Sequence, residues 1–280
     1  MRNTIACMTK SILHFVHANS YPADVYRVFF QHLRQHYELH ALSMHAHNPA
    51  FPVRNGWQAL TSELLAEIER RHREPVILAG HSMGGMLSLM AAKARPERVR
   101  AVLLLDSPVV AGWRAALLSA AKLARIDKHF SPARLSEKRR DRWPGRDEAY
   151  QHFARKPMFA KWPEEVLRDY IEHGLVEDAE GGVALRFTRE AETRVYRSLP
   201  HHIGAMVRPG FPVPVGFIGG EQSEENRMAG LRATRRLVRS HFKLLPGGHL
   251  FPMESPAEAA LAAHRMIQQL LLDAGRGERS

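Results

Sequence analysis

The stretch that most constrains this chain runs from Pro75 to Met86, P-V-I-L-A-G-H-S-M-G-G-M. Val76, Ile77 and Leu78 are a short apolar run of β-formers, the pattern of a strand buried on both faces of a parallel sheet. Gly80-His81-Ser82-Met83-Gly84 follows, a match to G-x-S-x-G, and Met86 to Ala92 is a run of helix formers. A turn that tight between strand and helix holds its central residue in a strained conformation. Gly80 and Gly84 lack the Cβ atoms that would collide there. The turn presents the Ser82 hydroxyl at the carboxyl edge of the sheet and aims the first N–H groups of the helix at it. Ser82 is therefore the candidate nucleophile. A glycine-rich connector with a solvated serine is the bland alternative, and the strand before and helix after weigh against it.

The rhythm on either side indicates the fold class. Ser11 to Val16 reads as a central strand, Ala23 to about Tyr37 as a helix, and Leu39 to Met44 as the next strand. Trp57 to about His72 is an amphipathic helix, and Val99 to Leu105 is a further buried strand that ends in Asp106-Ser107-Pro108. The alternation resumes at Val213 to Ile218, with a helix over Glu225 to about Arg239, a strand over Phe242 to Leu245 and a closing helix over Ala257 to Leu272. These elements predict an α/β protein with a mostly parallel central sheet and helices on both faces. Residues 1–110 and 207–280 form its core. Residues 111–206 lack the rhythm and read as a mainly helical lid. Its Trp113, Leu117, Trp143, Phe153, Met158, Phe159, Trp162 and Tyr170 mostly pack a small core of their own and partly line the cleft beneath.

Composition excludes several classes. With 280 residues and 45% apolar content the chain can bury a substantial core. The lone Cys7 rules out an internal disulfide framework and fits a reducing compartment. No long apolar stretch follows Met1 as in a signal peptide, and no run approaches the ~18–20 residues of a membrane helix. The expected setting is cytoplasmic. The net charge of +11 comes from arginines scattered through nearly every segment, without a reading motif for nucleic acid. The one dense run, Glu137 to Arg142, contains acids of its own and reads as a solvated face, with a surface attracting an anionic substrate as the sharper alternative. His45 and His47 have no acid or cysteine at metal-ligand spacing and read as part of a surface or site-rim loop.

A serine at such a turn needs a base and an acid that orients the base. Of 17 histidines, His249 stands in the glycine-rich turn Pro246-Gly247-Gly248 after the last strand, where a loop can place an imidazole over Ser82. His81 cannot fold back onto its neighbour's hydroxyl. The turn after the first central strand, His17-Ala18-Asn19-Ser20, is where the backbone N–H of Asn19 can act with that of Met83 as an oxyanion-binding pair.

Gly80-His81-Ser82-Met83-Gly84-Gly85, His17-Ala18-Asn19-Ser20 and Gly247-Gly248-His249 together resemble the α/β-hydrolase superfamily, over residues 11–110 and 212–272. The resemblance implies an eight-strand sheet whose first two strands are short or partly absent here, and a lid after the sixth strand. It also implies an acid three residues after Gly220, where this chain has Ser223. Glu221, Glu224 and Glu225 lie close by, and the superfamily's second solution, an acid ending the strand after the nucleophile helix, corresponds to Asp106. Asp106 is the preferred candidate, Glu224 and Glu221 remain open, and so does a Ser–His dyad without an acid. Dehalogenases and epoxide hydrolases of the superfamily carry an Asp nucleophile, which Ser82 opposes.

The resulting expectation is a serine esterase-like hydrolase with the triad Ser82, His249 and Asp106. It would cleave a carboxylic ester or related acyl bond of a small or lipid-like molecule through an acyl-enzyme, with no metal or organic cofactor. C–C bond hydrolysis, thioester hydrolysis, acyl transfer and non-catalytic ligand binding are the alternatives.

Overall fold

The computed structural model describes residues 10–112, 132–207 and 210–277. Strand β1 (Ile12–Val16) leads through a 3-10 turn at Ala23–Tyr26 into helix α1 (Arg27–Leu33), then β2 (Glu38–Ala41) and α2 (Gln58–Arg71). The nucleophile unit follows as β3 (Val76–His81) and α3 (Met83–Ala94), then β4 (Val99–Leu105). The next segment contains α4 (Pro132–Lys138), β5 (Arg142–Trp143), α5 (Arg146–Ala154), α6 (Glu164–Gly174), β6 (Leu175–Glu177), β7 (Val183–Leu185), α7 (Arg189–Arg197) and α8 (Ile203–Met206). The chain then returns with β8 (Val215–Gly220), α9 (Glu224–Ala229), α10 (Arg232–Val238), β9 (Phe242–Leu245), α11 (Phe251–Glu254) and α12 (Pro256–Gly277).

Six strands pair in the order β2-β1-β3-β4-β8-β9, and every pairing is parallel. Side chains alternate between the faces of each strand. On one face Phe15, Ile77, Ala79, Leu103 and Leu105 pack against Phe29 and Leu33 of α1 and Ala263 and Ile267 of α12. On the other, Val76, Leu78, Val102 and Leu104 pack against Leu60, Leu64 and Ile68 of α2 and Leu87 and Leu89 of α3. The central strands β3 and β8 are buried at all six positions, and β4 at all but Arg100. Their unbroken apolar runs follow from being covered on both sides. Truncating one such side chain, Leu103 for example, costs about 2–5 kcal/mol.

Register then aligns the strand ends. Val16 pairs with Gly80, His81 with Leu105, Leu105 with Ile218, and Gly220 with Leu245. Asn19, Ser82, Asp106 and the turn to His249 therefore leave the sheet along one edge.

Some elements differ from expectation. The helix expected over 23–37 is a 3-10 turn and a seven-residue helix. The helix expected over 225–239 is two, parted at Gly230, whose φ of 70° lies in the left-handed region. Strand β2 stops at Ala41 rather than Met44, and the Ser43 carbonyl instead accepts from Ala23 N–H at 2.9 Å. The two extra strands implied before Ser11 fall largely on residues outside those described, as do Trp113 and Leu117.

Residues 132–207 are mostly helical, with a small antiparallel sheet in the order β5-β7-β6. Its strands are two or three residues long, too short to show a period in the sequence. Trp143, Phe153, Phe159, Trp162 and Tyr170 pack on one another, with neighbouring ring centroids 4.6–5.9 Å apart. This segment sits against the loops leaving β1 and β2. Arg27 Nε donates to both oxygens of Asp169, Arg186 pairs with Asp24, and Trp57 Nε1 donates to Ser198 Oγ at 2.9 Å. No helix among the described residues is long and apolar enough to cross a membrane.

Candidate active site

Ser82 sits between β3 and α3 with φ 53° and ψ −115°. For a residue with a Cβ this backbone conformation costs about 1–3 kcal/mol and persists only where the surroundings impose it. Here its N–H donates to the Leu105 carbonyl at 3.0 Å, and its carbonyl accepts from Gly85 N–H and from Ser107 Oγ at 2.6 Å. A Cβ on Gly80 would lie 2.3 Å from the carbonyl carbon of Gly84, and one on Gly84 only 2.0 Å from the Val16 carbonyl oxygen. The first turn of α3 thus lies directly on the end of β1.

That approach brings the His17–Ser20 loop beside the helix N-terminus. Among the described residues, neither the Asn19 N–H nor the Met83 N–H has a hydrogen-bond partner. Asn19 is buried, its Nδ2 donates to the Glu192 carbonyl at 3.3 Å, and its Oδ1 has no partner.

Asp106 leaves β4 with φ 41° and is fully buried. Its Oδ1 accepts from Ser223 Oγ at 2.6 Å and from His249 Nδ1 at 2.8 Å. Its Oδ2 accepts from Gly220 N–H at 2.6 Å and Asn226 Nδ2 at 2.8 Å. A carboxylate only accepts, so the His249 proton sits on Nδ1 and Nε2 is the basic nitrogen of the neutral ring. Burial alone would lower the pKa of His249. The hydrogen bond that Nδ1–H donates to Asp106, then the charges of Glu225, Asp106 and Glu254, outweigh it and hold the pKa above the ordinary histidine value.

The glutamates of the 221–225 loop are placed differently. Glu225 Oε2 is 3.7 Å from His249 Nδ1, Glu224 pairs with the exposed Arg227, and Glu221 points to solvent. Among the described residues no hydrogen bond joins Ser82 Oγ to His249. The two are linked through His81, whose ring lies 5.1 Å from that of His249.

The loop carrying His45 reaches the surface from His47 onward, but the His45 side chain itself turns inward. It is fully buried, and its Nδ1 meets Glu63 Oε2 of α2 at 2.9 Å, an acid that sequence spacing does not bring near. His17 is buried too: its Nε2 accepts from His45 N–H at 2.8 Å. Asp106, Glu225 and His249 bring donor atoms within 4.8 Å of one another. Four donors already converge on the Asp106 carboxylate, an arrangement that suits a hydrogen-bonded anion rather than a cation's ligand.

Sequence reasoning missed Tyr26, Ser223 and Asn226. Ser223 carried a usable signal, since its Oγ caps α9 by accepting from Asn226 N–H at 3.2 Å. Tyr26 reads as an ordinary core aromatic.

The chain matches the alpha/beta hydrolase family over residues 15–263, and it belongs to that family. Among solved structures, it resembles E-2-(acetamidomethylene)succinate hydrolase with a TM-score of 0.73 and 21% identity, covering 93% of this chain and 92% of that one. The thioesterase domain from the curacin biosynthetic pathway gives 0.71 and 19% identity, covering 91% of each chain. MenH from S. aureus gives 0.64 and 14% identity, covering 93% of this chain and 94% of that one. At these identities the likeness concerns the fold, an α/β-hydrolase fold. No curated protein sequence matches the chain.

Proposed function

We propose that the chain is a serine hydrolase that cleaves a carboxylic ester or related acyl bond of a small molecule. The observation that carries this reading is the 2.8 Å bond between His249 Nδ1 and Asp106, made at the same sheet edge as the strained Ser82. Ser82 Oγ attacks the carbonyl carbon while His249 Nε2 takes its proton, and Asp106 stabilises the imidazolium. The unpaired N–H groups of Met83 and Asn19 receive the developing oxyanion. Collapse expels the leaving group, which takes the proton back from Nε2. Water, deprotonated by Nε2, then releases the acid from Ser82. The Ser82–His249 hydrogen bond forms when substrate closes the site, as catalytic contacts in free enzymes often do.

Residues 111–206 act as the lid of this site, tied to the oxyanion loop by the bond from Asn19 Nδ2 to the Glu192 carbonyl. The lone Cys7 suits a cytoplasmic enzyme. The test is a fluorophosphonate label and a panel of esters of increasing acyl length, run on the wild type beside Ser82→Ala and His249→Ala. Labelling confined to Ser82 is expected, with kcat reduced roughly 10³-fold or more in each variant at unchanged Tm. Near-full esterase activity in either variant would overturn the reading, and an unlabelled wild type would point to a non-catalytic ligand binder.

A further inference from the structure

His81 is the residue before Ser82, and the mechanism above gives it no task. It is fully buried, yet both ring nitrogens are engaged. Nε2 lies 2.9 Å from the His249 carbonyl oxygen, and Nδ1 lies 2.7 Å from the Tyr26 hydroxyl. The Tyr26 oxygen also accepts from Ala18 N–H at 3.2 Å. A carbonyl oxygen cannot donate, so the Nε2 proton belongs to His81 and its Nδ1 must accept. The Tyr26 hydroxyl then donates to Nδ1, and its oxygen remains free to accept from Ala18. Each donor in the chain faces an acceptor. Burial, then the neighbouring His249, lowers the His81 pKa to about 3, so the ring stays neutral and keeps this polarity.

We propose that Tyr26 and His81 form a positioning relay that locks three parts of the site into one geometry: the Ala18–Asn19 loop, the turn at Ser82 and the backbone of His249. The inference rests on the serine-hydrolase reading for its kinetic consequences, although the relay's geometry does not. Neither side chain takes part in the reaction. Tyr26 fixes the peptide preceding the Asn19 oxyanion donor's own residue, and His81 fixes the carbonyl of the residue that carries the base. The same turn is also held by Gly248 N–H to Glu254 at 3.0 Å, Gln222 N–H to the Gly247 carbonyl at 2.9 Å, Phe251 N–H to the Gly248 carbonyl at 3.2 Å and the His249 side chain on Asp106, none of which reaches the Ala18–Asn19 loop. Gly247, at φ 118°, takes a backbone conformation there that favours glycine.

The test pairs a disruptive with a conservative change. Glutamine at 81 keeps an N–H donor group and an acceptor oxygen at its tip, in place of the N–H and the accepting nitrogen of the neutral imidazole, whereas leucine keeps only bulk. His81→Leu and Tyr26→Phe should lower kcat by about 10- to 100-fold with KM changed less than about threefold, the signature of misplacement in the transition state. His81→Gln should recover most of that loss. Affinity for a boronic acid that forms a tetrahedral adduct on Ser82 should fall in parallel with kcat. Equal losses in His81→Gln and His81→Leu, or a loss confined to KM, would overturn the relay. Nitrogen-15 NMR of the wild-type histidine rings at neutral pH supplies a readout independent of activity and of folding in the variants. A neutral His81 with its proton on Nε2 is expected, and a proton on Nδ1 would refute the relay even if Ser82 is the nucleophile. If the ring signals agree while Ser82→Ala keeps full activity, the hydrolase reading fails and the relay geometry stands.

Discussion

Ser223 Oγ donates a 2.6 Å hydrogen bond to Asp106 Oδ1, the same oxygen that accepts from His249 Nδ1. The position at which the resemblance implies an acid is thus filled by a hydroxyl that serves an acid from a different strand. The exchange works because β4 and β8 are neighbours, with Leu105 paired to Ile218, so the residues that follow each strand meet across the sheet edge. Ser223 also caps α9, which fixes the hydroxyl's direction. Gly220 N–H and Asn226 Nδ2 complete the set of donors and leave the buried carboxylate no unmet demand.

Asp106→Asn should lower kcat roughly 10²- to 10⁴-fold. Asn has one acceptor oxygen, and both carboxylate oxygens now face two donors each, so its amide nitrogen must point at donors in either orientation. If that nitrogen faces His249, the ring is driven to the Nε2–H tautomer and cannot accept the Ser82 proton. Glu221→Gln, Glu224→Gln and Glu225→Gln should stay within a few-fold of wild type. Steady-state kinetics of the four variants check this, and a Glu225→Gln loss equal to that of Asp106→Asn would transfer the orienting role.

The pH profile follows from the same contact. His249 must be neutral to act as base, and its pKa is raised, so the acidic limb of kcat/KM should have its midpoint above the ordinary value of about 6.5. Glu225→Gln and Glu254→Gln each remove a nearby negative charge and should move that midpoint down. A midpoint unmoved in both variants would contradict the electrostatic cause.

The α/β class was legible in the sequence because the doubly buried strands β3 and β4 must be continuous apolar runs, and the turn at Ser82 was legible because only glycine fits at 80 and 84. Such signals are local. The Asp106 contact depends on strand order and on where two turns meet, and the Glu63 partner of His45 arrives from a helix 18 positions away. Tyr26 could not be found at all, since nothing in a single sequence separates a core tyrosine with a working hydroxyl from one without.

Gly84 offers a direct test of how the proposed oxyanion donors are placed. A Cβ there would lie 2.0 Å from the Val16 carbonyl oxygen and 2.8 Å from that of His17, both backbone atoms of a buried segment. Gly84→Ala must push α3 away from β1, and the N–H groups of Met83 and Asn19 lie on opposite sides of that contact. Overpacking of this kind costs about 1–3 kcal/mol, so Tm should fall by about 2–10 °C. Because loss of a single oxyanion donor costs about 10²–10³ in kcat, a fall of at least tenfold is expected. Wild-type Tm and kcat together would show that the two elements are not in contact.

Buried histidines set the acid limit of stability. Burial first, then neighbouring positive groups, lowers His14 well below its ordinary value and His17 and His81 to about 3. The unfolded chain takes up protons at these rings as pH falls below about 6.5, whereas in the folded chain His17 and His81 do not until near 3 and His14 not until well below its ordinary value. Across that window the unfolded state binds more protons, so stability falls with falling pH. From pH 7.5 to 5.5 His17 and His81 each contribute a loss of about 1.4 kcal/mol, and His14 acts in the same direction. His249 works in the opposite sense: its raised pKa makes the folded state bind more protons above pH 6.5, a stabilisation present at low pH and lost as pH rises. It offsets part of the loss without reversing it. Urea unfolding at pH 7.5 and 5.5 should therefore show a clear drop in midpoint at pH 5.5 with an unchanged slope, and equal midpoints would mean that these rings are charged or solvated in the folded protein.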